Sequence, residues 1–218
     1  MTSVIELPAV DWDDVRFSDV DVSFTDRMEG RRTETVRQGT SWWVATWRTV
    51  YLTREDLGRM DAWARRAKDG AVFRAHDPFR PRPLAEDTGQ PLSGTRAGGG
   101  AFDGTATLFD IADSRNVEVS GLPVGFKFSE GDYVEFRMSP LTVSLHLVDQ
   151  DATADAFGHA LLNIRYGLDT QHFTTAATVN LEKPSCLMQI DPGSYDSPKT
   201  QRTRQPGFSS QEVFPNEP

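Results

Sequence analysis

The residues able to do chemistry are few and poorly grouped. Asp149, Asp151 and Asp155 fall within one short stretch, DQDATADAFG. Oxygen-rich loops of this kind can hold calcium. The spacing departs from the D-x-[DN]-x-[DN]-G pattern and no glutamate stands at the closing position, so an acidic hairpin is the favoured reading. The four histidines, His76, His146, His159 and His172, show no paired ligand spacing. His146 lies inside LTVSLHLV and reads as a strand residue. Cys186 is the single cysteine, which excludes an intrachain disulfide framework and a cysteine-rich zinc site. No G-x-S-x-G elbow exists. Gly94 to Gly100 (GTRAGGG) lacks the Lys-Ser/Thr of a phosphate loop and opens no helix, so it reads as a flexible connector. These observations predict no catalytic residue, no metal and no cofactor.

The elements around these residues are mostly strands. Val20 to Phe24 alternates with period two. Trp42 to Leu52 (WWVATWRTVYL) is the strongest strand signal, aromatic and β-branched. It places Trp43, Ala45, Trp47, Thr49 and Tyr51 on one face. The period then changes. Thr53 and Asp56 form a capping-box-like start. Leu57, Met60, Ala64 and Ala67 recur at helical spacing, with Trp63 widening the stripe as a core anchor. Gly70 stands where a left-handed C-cap belongs. The expected helix covers about 53–69, and its Met60 and Trp63 should pack on the sheet that holds Trp43 and Trp47. Val72–Ala75 reads as a short strand, and His76-Asp77-Pro78 turns the chain. Residues 78–104, rich in Pro, Gly and Arg, read as a linker or long surface loop. From Thr105 to Leu181, seven short strand candidates with tight turns suggest a small closed barrel, because closure removes exposed edges. A polar arm over 192–207 precedes a last strand near Phe208–Phe214.

Charge is spread unevenly. The 218 residues carry a net −9, of which 1–30 carry −6, 31–83 carry +6 and the remainder −9. An acidic chain is poorly suited to gripping phosphate backbones. Arg54, Arg59, Arg65 and Arg66 read as the solvated face of the helix. A basic segment beside acidic ones also suits head-to-tail contact between copies. No run approaches the roughly 18 apolar residues of a membrane span. MTSVIELPAVDWDDV has neither the basic nor the apolar region of a secretory signal.

The order of these segments resembles the distal tail proteins of long-tailed (siphovirus-type) bacteriophages. The resemblance is carried by WWVATWRTVYL, by the helix with Met60, Ala62 and Trp63, and by KDGAVFRAHDPFRPRP. It continues through GLPVGFKFSEGDYVEF, LHLVDQDATADAFGHALLNI and VNLEKPSCLMQID. The family's strand–helix–strand unit ends in a G…F…DP turn, matched here by Gly70, Phe73, Asp77 and Pro78. A second stretch, GDY followed by a Leu-rich strand and D…AD…G, is matched by Gly131, Asp132 and Tyr133, then Leu145 to Leu147 and Asp151 to Gly158. The acidic N-terminus is unmatched, and the 192–207 arm is longer than the pattern. The resemblance implies a mainly β fold: a tail-tube-like β-sandwich or barrel domain with one helix, plus an inserted small OB-like β-barrel. On this basis residues 1–90 with 184–218 are expected to form the discontinuous ring domain and 91–183 the inserted barrel. It also implies a structural tail-tip protein of the virion, made in the host cytoplasm. Its expected partners are its own copies in a homohexameric ring, the tail tube protein, and the hub, baseplate and receptor-binding proteins. DNA would only pass through the channel, and no membrane insertion is implied. The other readings are a different minor tail or tube protein, and a glycan-binding β-barrel module. In the latter, Phe102, Phe109, Phe126, Phe128 and Tyr133 would supply stacking surfaces.

Overall fold

Alternating burial along Trp42–Thr49 shows how the first sheet is built: Trp43, Ala45, Trp47 and Thr49 are buried while their neighbours are not. The computed structural model describes residues 3–21, 23–27, 30, 32–37, 41–198, 200 and 204–215. Its first sheet contains β1 (Val4–Glu6), β2 (Trp12–Val20), β5 (Trp42–Thr49), β6 (Val72–Ala75), β17 (Cys186–Ile190) and β18 (Gly207–Glu212). Their spatial order is β1-β6-β17-β18-β5-β2, so two strands from the C-terminal end lie side by side between pairs from the N-terminal part. Phe208 of β18 lies opposite Trp47 of β5, and Met188 of β17 opposite Phe73 of β6. The apolar strand after the polar segment thus buries its face in the N-terminal sheet, as expected.

Helix α1 (Arg54–Lys68) covers this sheet. Thr53 caps it by accepting from the Asp56 N–H at 3.2 Å. Gly70 follows with φ +88°, a conformation that costs other residues more. Met60, Trp63, Ala64 and Ala67 face inward. Trp63 meets Phe73 edge-on at 5.2 Å and Phe208 at 5.3 Å, and its indole N–H donates to Glu6 O at 2.8 Å. Arg54, Arg59, Arg65 and Arg66 point to solvent.

The second sheet contains β9 (Thr105–Ile111), β10 (Asn116–Ser120), β12 (Tyr133–Arg137), β13 (Val143–Leu147), β15 (Ala160–Asn163) and β16 (Thr178–Asn180). It is fully antiparallel, in the order β13-β12-β16-β9-β10-β15. A bridge between Val148 and Ile164 joins its two end strands, so the sheet curls back on itself around Leu108, Val119, Val134, Phe136, Leu162 and Val179. Among the described residues the fold is therefore mainly β, with a barrel and one α-helix. The barrel has six strands, one more than the OB-type barrel.

Several expectations change. Val20–Phe24 is not one strand: β2 ends at Val20 and β3 (Ser23–Arg27) pairs only with β4 (Thr33–Arg37). Tyr51 does not continue the buried face of β5. The ladder ends at Thr49, Leu52 N–H donates to Arg204 O at 2.9 Å, and Tyr51 swings out to 66% exposure as the chain turns into α1. Gly94–Gly100 is no loose connector. Gly94–Thr95 (β7) pairs with Ala101–Phe102 (β8), and Ala97 N–H donates to Leu122 O at 2.9 Å. Within Val124–Phe128 only Lys127–Phe128 (β11) is strand. It pairs with Ala152–Thr153 (β14), inside the acidic connection. The 192–207 arm does not reach outward where it is described. Tyr195 and Ser197 donate to Asp61 of α1 at 2.7 and 2.9 Å, and Asp196 bridges to Gly207. Residues 199 and 201–203 of that arm lie outside the described residues.

Candidate binding cleft

The two sheets share an apolar seam. Tyr133 and Leu145 of the barrel pack into the same cluster as Trp43, Trp47, Met60 and Trp63. Tyr133 meets Trp43 edge-on at 5.6 Å and Phe17 at 5.9 Å. Burial raises the Tyr133 phenol to about 12.

The two stretches that carried the resemblance meet at this seam. Asp77 accepts from Phe79 N–H at 2.9 Å and fixes the turn at Pro78. The turn presents Arg80, which donates to Gly131 O and lies 5.0 Å over the Tyr133 ring. Asp132, almost wholly buried, accepts from Leu84 N–H at 3.0 Å and Ser129 N–H at 2.7 Å. Burial raises the Asp77 and Asp132 carboxyls above the usual range, against their hydrogen bonds. Trp43, Trp47, Met60, Trp63 and Phe73 are core. All ten singled-out residues thus shape the seam or the core.

Sequence reasoning missed the polar groups that order this region. Arg82 donates to both Glu182 oxygens, at 3.0 and 2.7 Å, and to Asp87 at 2.8 Å. Glu182 also accepts from Leu92 N–H at 3.0 Å. Glu135, fully buried, accepts from Arg137 at 2.6 Å, from Asn180 at 2.9 Å, and from both Ser185 N–H and Oγ–H at 2.9 Å. A lone charge in a polar stretch carries no pattern that marks such pairings.

Between the sheets lies a cleft of about 810 Å³. Its lining includes Asp19, Trp42 and Trp43, residues 141–146, Tyr166, Asp169, His172 and Phe173, and Glu212 and Phe214. Tyr166 donates its hydroxyl to Asp19. Glu212 is only 8% exposed and accepts from Trp43 N–H at 3.0 Å. Desolvation raises its carboxyl to about 8. His146 sits 2.8 Å from Ser144 Oγ through Nε2 and 3.1 Å from Tyr166 O through Nδ1. Burial lowers its imidazole to about 4, so the ring is neutral and weakly basic, a poor general base near neutral pH.

The loop acids are dispersed among local partners. Asp155 accepts from Phe157 and His159 N–H at 2.8 and 2.9 Å, and Asp151 from Glu130 N–H at 2.8 Å. No group of three or more metal-ligating side chains occurs among the described residues, and no helix among them is long and apolar enough to cross a membrane.

The chain matches no protein-family model and no curated protein sequence.

Proposed function

We propose that this chain is a structural tail-tip protein of a long-tailed bacteriophage, a non-catalytic ring that joins the tail tube to the hub and receptor-binding apparatus around the DNA channel. The reading rests on the sequence resemblance and on one observation. The β2–β5 hairpin continues past its sheet as the ribbon β3/β4, which is exposed along both strands where its side chains are described. Phe24 stands opposite Val36, exposed to 61% and 54%, and Asp26 stands opposite Glu34. A two-stranded ribbon is marginal in water by itself, and like charges directly opposite destabilise it further. A neighbouring copy offering exposed arginines such as Arg54, Arg65 and Arg66 would offset both. Such a contact is heterologous and closes into a ring when its rotation permits.

The glycan-binding alternative loses most of its stacking surface. Phe102, Phe126, Phe128 and Tyr133 are buried, and only Phe109 is exposed.

Sedimentation and negative-stain microscopy of the purified chain, alone and with tail-tube or hub protein, test the proposal. A ring of six that weakens as salt rises is expected. A chain that stays monomeric in every condition overturns it.

A further inference from the structure

The two faces of the β3/β4 ribbon differ. Phe24 stands opposite Val36 and Asp26 opposite Glu34, so these four side chains share one face. Thr25 stands opposite Thr35, their hydroxyls 3.2 Å apart, and Arg27 opposite Thr33, on the other face. Hydroxyls are satisfied by each other and by water, whereas Phe24 and Val36 gain only by leaving water. The face that calls for a cover is therefore the first. Its apolar pair lies beside its acidic pair, so the cover must bring an apolar surface and cations together.

Charge narrows where such a cover lies on this chain. Exposed Phe79 neighbours Arg80, which is committed to Gly131 O and the Tyr133 ring. Exposed Phe109 lies against His159, which is paired with Glu118 at 2.7 Å. The N–H of exposed Phe157 is held by Asp155, and exposed Phe214 lines the cleft with Asp169 and Glu212. Tyr51 is different. Arg48 and Arg54 flank it in the chain, and both are exposed and form no ion pair among the described residues. The exposed Tyr51 ring offers apolar area and its hydroxyl a donor, while the two guanidinium groups offer cations for carboxylates.

One copy cannot bring these two surfaces together. The ribbon leaves the β2–β5 hairpin at Val20 and Trp42, whereas Tyr51 follows the other end of β5. The eight residues of β5 set those ends about 25 Å apart. Phe24 lies four residues past Val20, a reach of about 14 Å. We infer that the Phe24–Val36 face of the ribbon seats on Tyr51 of a second copy of this chain, with Asp26 and Glu34 meeting Arg48 and Arg54. The two surfaces lie at opposite ends of one hairpin, so the contact is heterologous and repeats head to tail. The inference rests on the ring reading and names the surface that receives the ribbon.

Two charge variants of the full chain test it in sedimentation velocity, alone or with tail-tube or hub protein, under the conditions in which the native chain assembles. Asp26→Arg with Glu34→Arg leaves both surfaces positive, and Arg48→Glu with Arg54→Glu leaves both negative. Each variant should need at least about tenfold more protein to assemble. An equimolar mixture of the two should assemble like the native chain, because the positive ribbon of one meets the negative surface of the other. Disulfide linking gives an independent measurement. Mild oxidation should join chains carrying Phe24→Cys and Tyr51→Cys into a ladder of linked copies. Chains carrying Thr25→Cys and Tyr51→Cys should stay unlinked, because Thr25 faces the other way and the native Cys186 is buried. Three results overturn the inference while the ring reading stands: a charge variant that assembles at the native concentration, a mixture of folded variants that assembles no better than its components, or equal linking through Thr25 and Phe24. The linking measurement decides the matter if a charge variant fails to fold. A native chain that never assembles overturns the ring reading itself, and this inference with it.

Discussion

Two stretches of this chain invert what their sequences suggest. Residues 78–104 have the proline, glycine and arginine content of a linker, yet they are held throughout. Arg82 bridges Glu182 and Asp87, Asp132 accepts from Leu84, and Arg96 donates to Ala101 O and Gly121 O at 3.0 and 3.2 Å. Ser23–Arg27 and Thr33–Arg37 have strand composition and form strands, yet no third strand pairs with them among the described residues. Regular hydrogen bonding and burial are thus separate properties. A loop becomes rigid when its polar groups find buried partners, and a ribbon remains a free surface when its faces find none.

The sharpest way to break this comparison is at Arg82. Its side chain is almost fully buried and shared by two carboxylates. Arg82→Ala should leave the partly buried Glu182 without its cation and lower stability by about 1.5–3 kcal/mol, the usual range for lost hydrogen bonds to a charged group. Denaturant unfolding of the variant measures this. A loss under about 1 kcal/mol would show that the loop is held by its backbone contacts alone.

A second test separates the buried titratable groups by pH. His76 and His146 are lowered to about 4 by burial, from about 6.5. Their folded forms resist protonation, so stability falls as pH drops from about 6.5 toward 4. Glu212 is raised from the ordinary 4.5 to about 8, so its folded form resists deprotonation and stability falls as pH rises from 4.5 toward 8. Two histidines outweigh one glutamate below about 6.5, and Glu212 acts against stability above it. Unfolding measured across pH 4 to 9 should therefore peak near 6.5, and Glu212→Gln should flatten the alkaline limb and steepen the acid limb above about 4.5. An unchanged alkaline limb in that variant would remove Glu212 as the cause.

The smallest stability effect belongs to the ribbon. Phe24→Ser with Val36→Ser removes exposed groups only, so the monomer should unfold within about 0.5 kcal/mol of the native chain. Assembly should nevertheless be lost in sedimentation. Intact assembly in this variant would place the contact elsewhere on the molecule.

Local pattern was legible where it governs local structure. The stripe Leu57, Met60, Trp63, Ala64 and Ala67, the Thr53 cap and Gly70 define α1 to within a residue or two at each end. Alternation of buried side chains with more accessible ones marks β5, β9 and β10, because one face of each must leave water. Where strands end was less legible. Tyr51 continues the alternation in sequence, but the chain must turn there to start α1. The connection 149–158 hides β14 because only two of its residues pair.

The sequence by itself determined the class of fold, since period-two patterning, turn glycines and one capped amphipathic helix all depend on neighbours in the chain. Glycine at Gly158 was equally dictated, once the turn closes: φ is +78°, and a Cβ there would lie 2.3 Å from Leu122 O. Tertiary structure decided which strands share a sheet, and so that Phe208 reaches Trp47 and that Arg80 joins Asp77 to the GDY stretch. It also decided the candidate site. Glu212 is an ordinary glutamate near the end of a polar stretch until β18 slots between β17 and β5 and buries it beside Trp43. Trp43 meets Glu212 across 169 positions and Arg82 meets Glu182 across 100, and a periodic pattern carries no record of such distances.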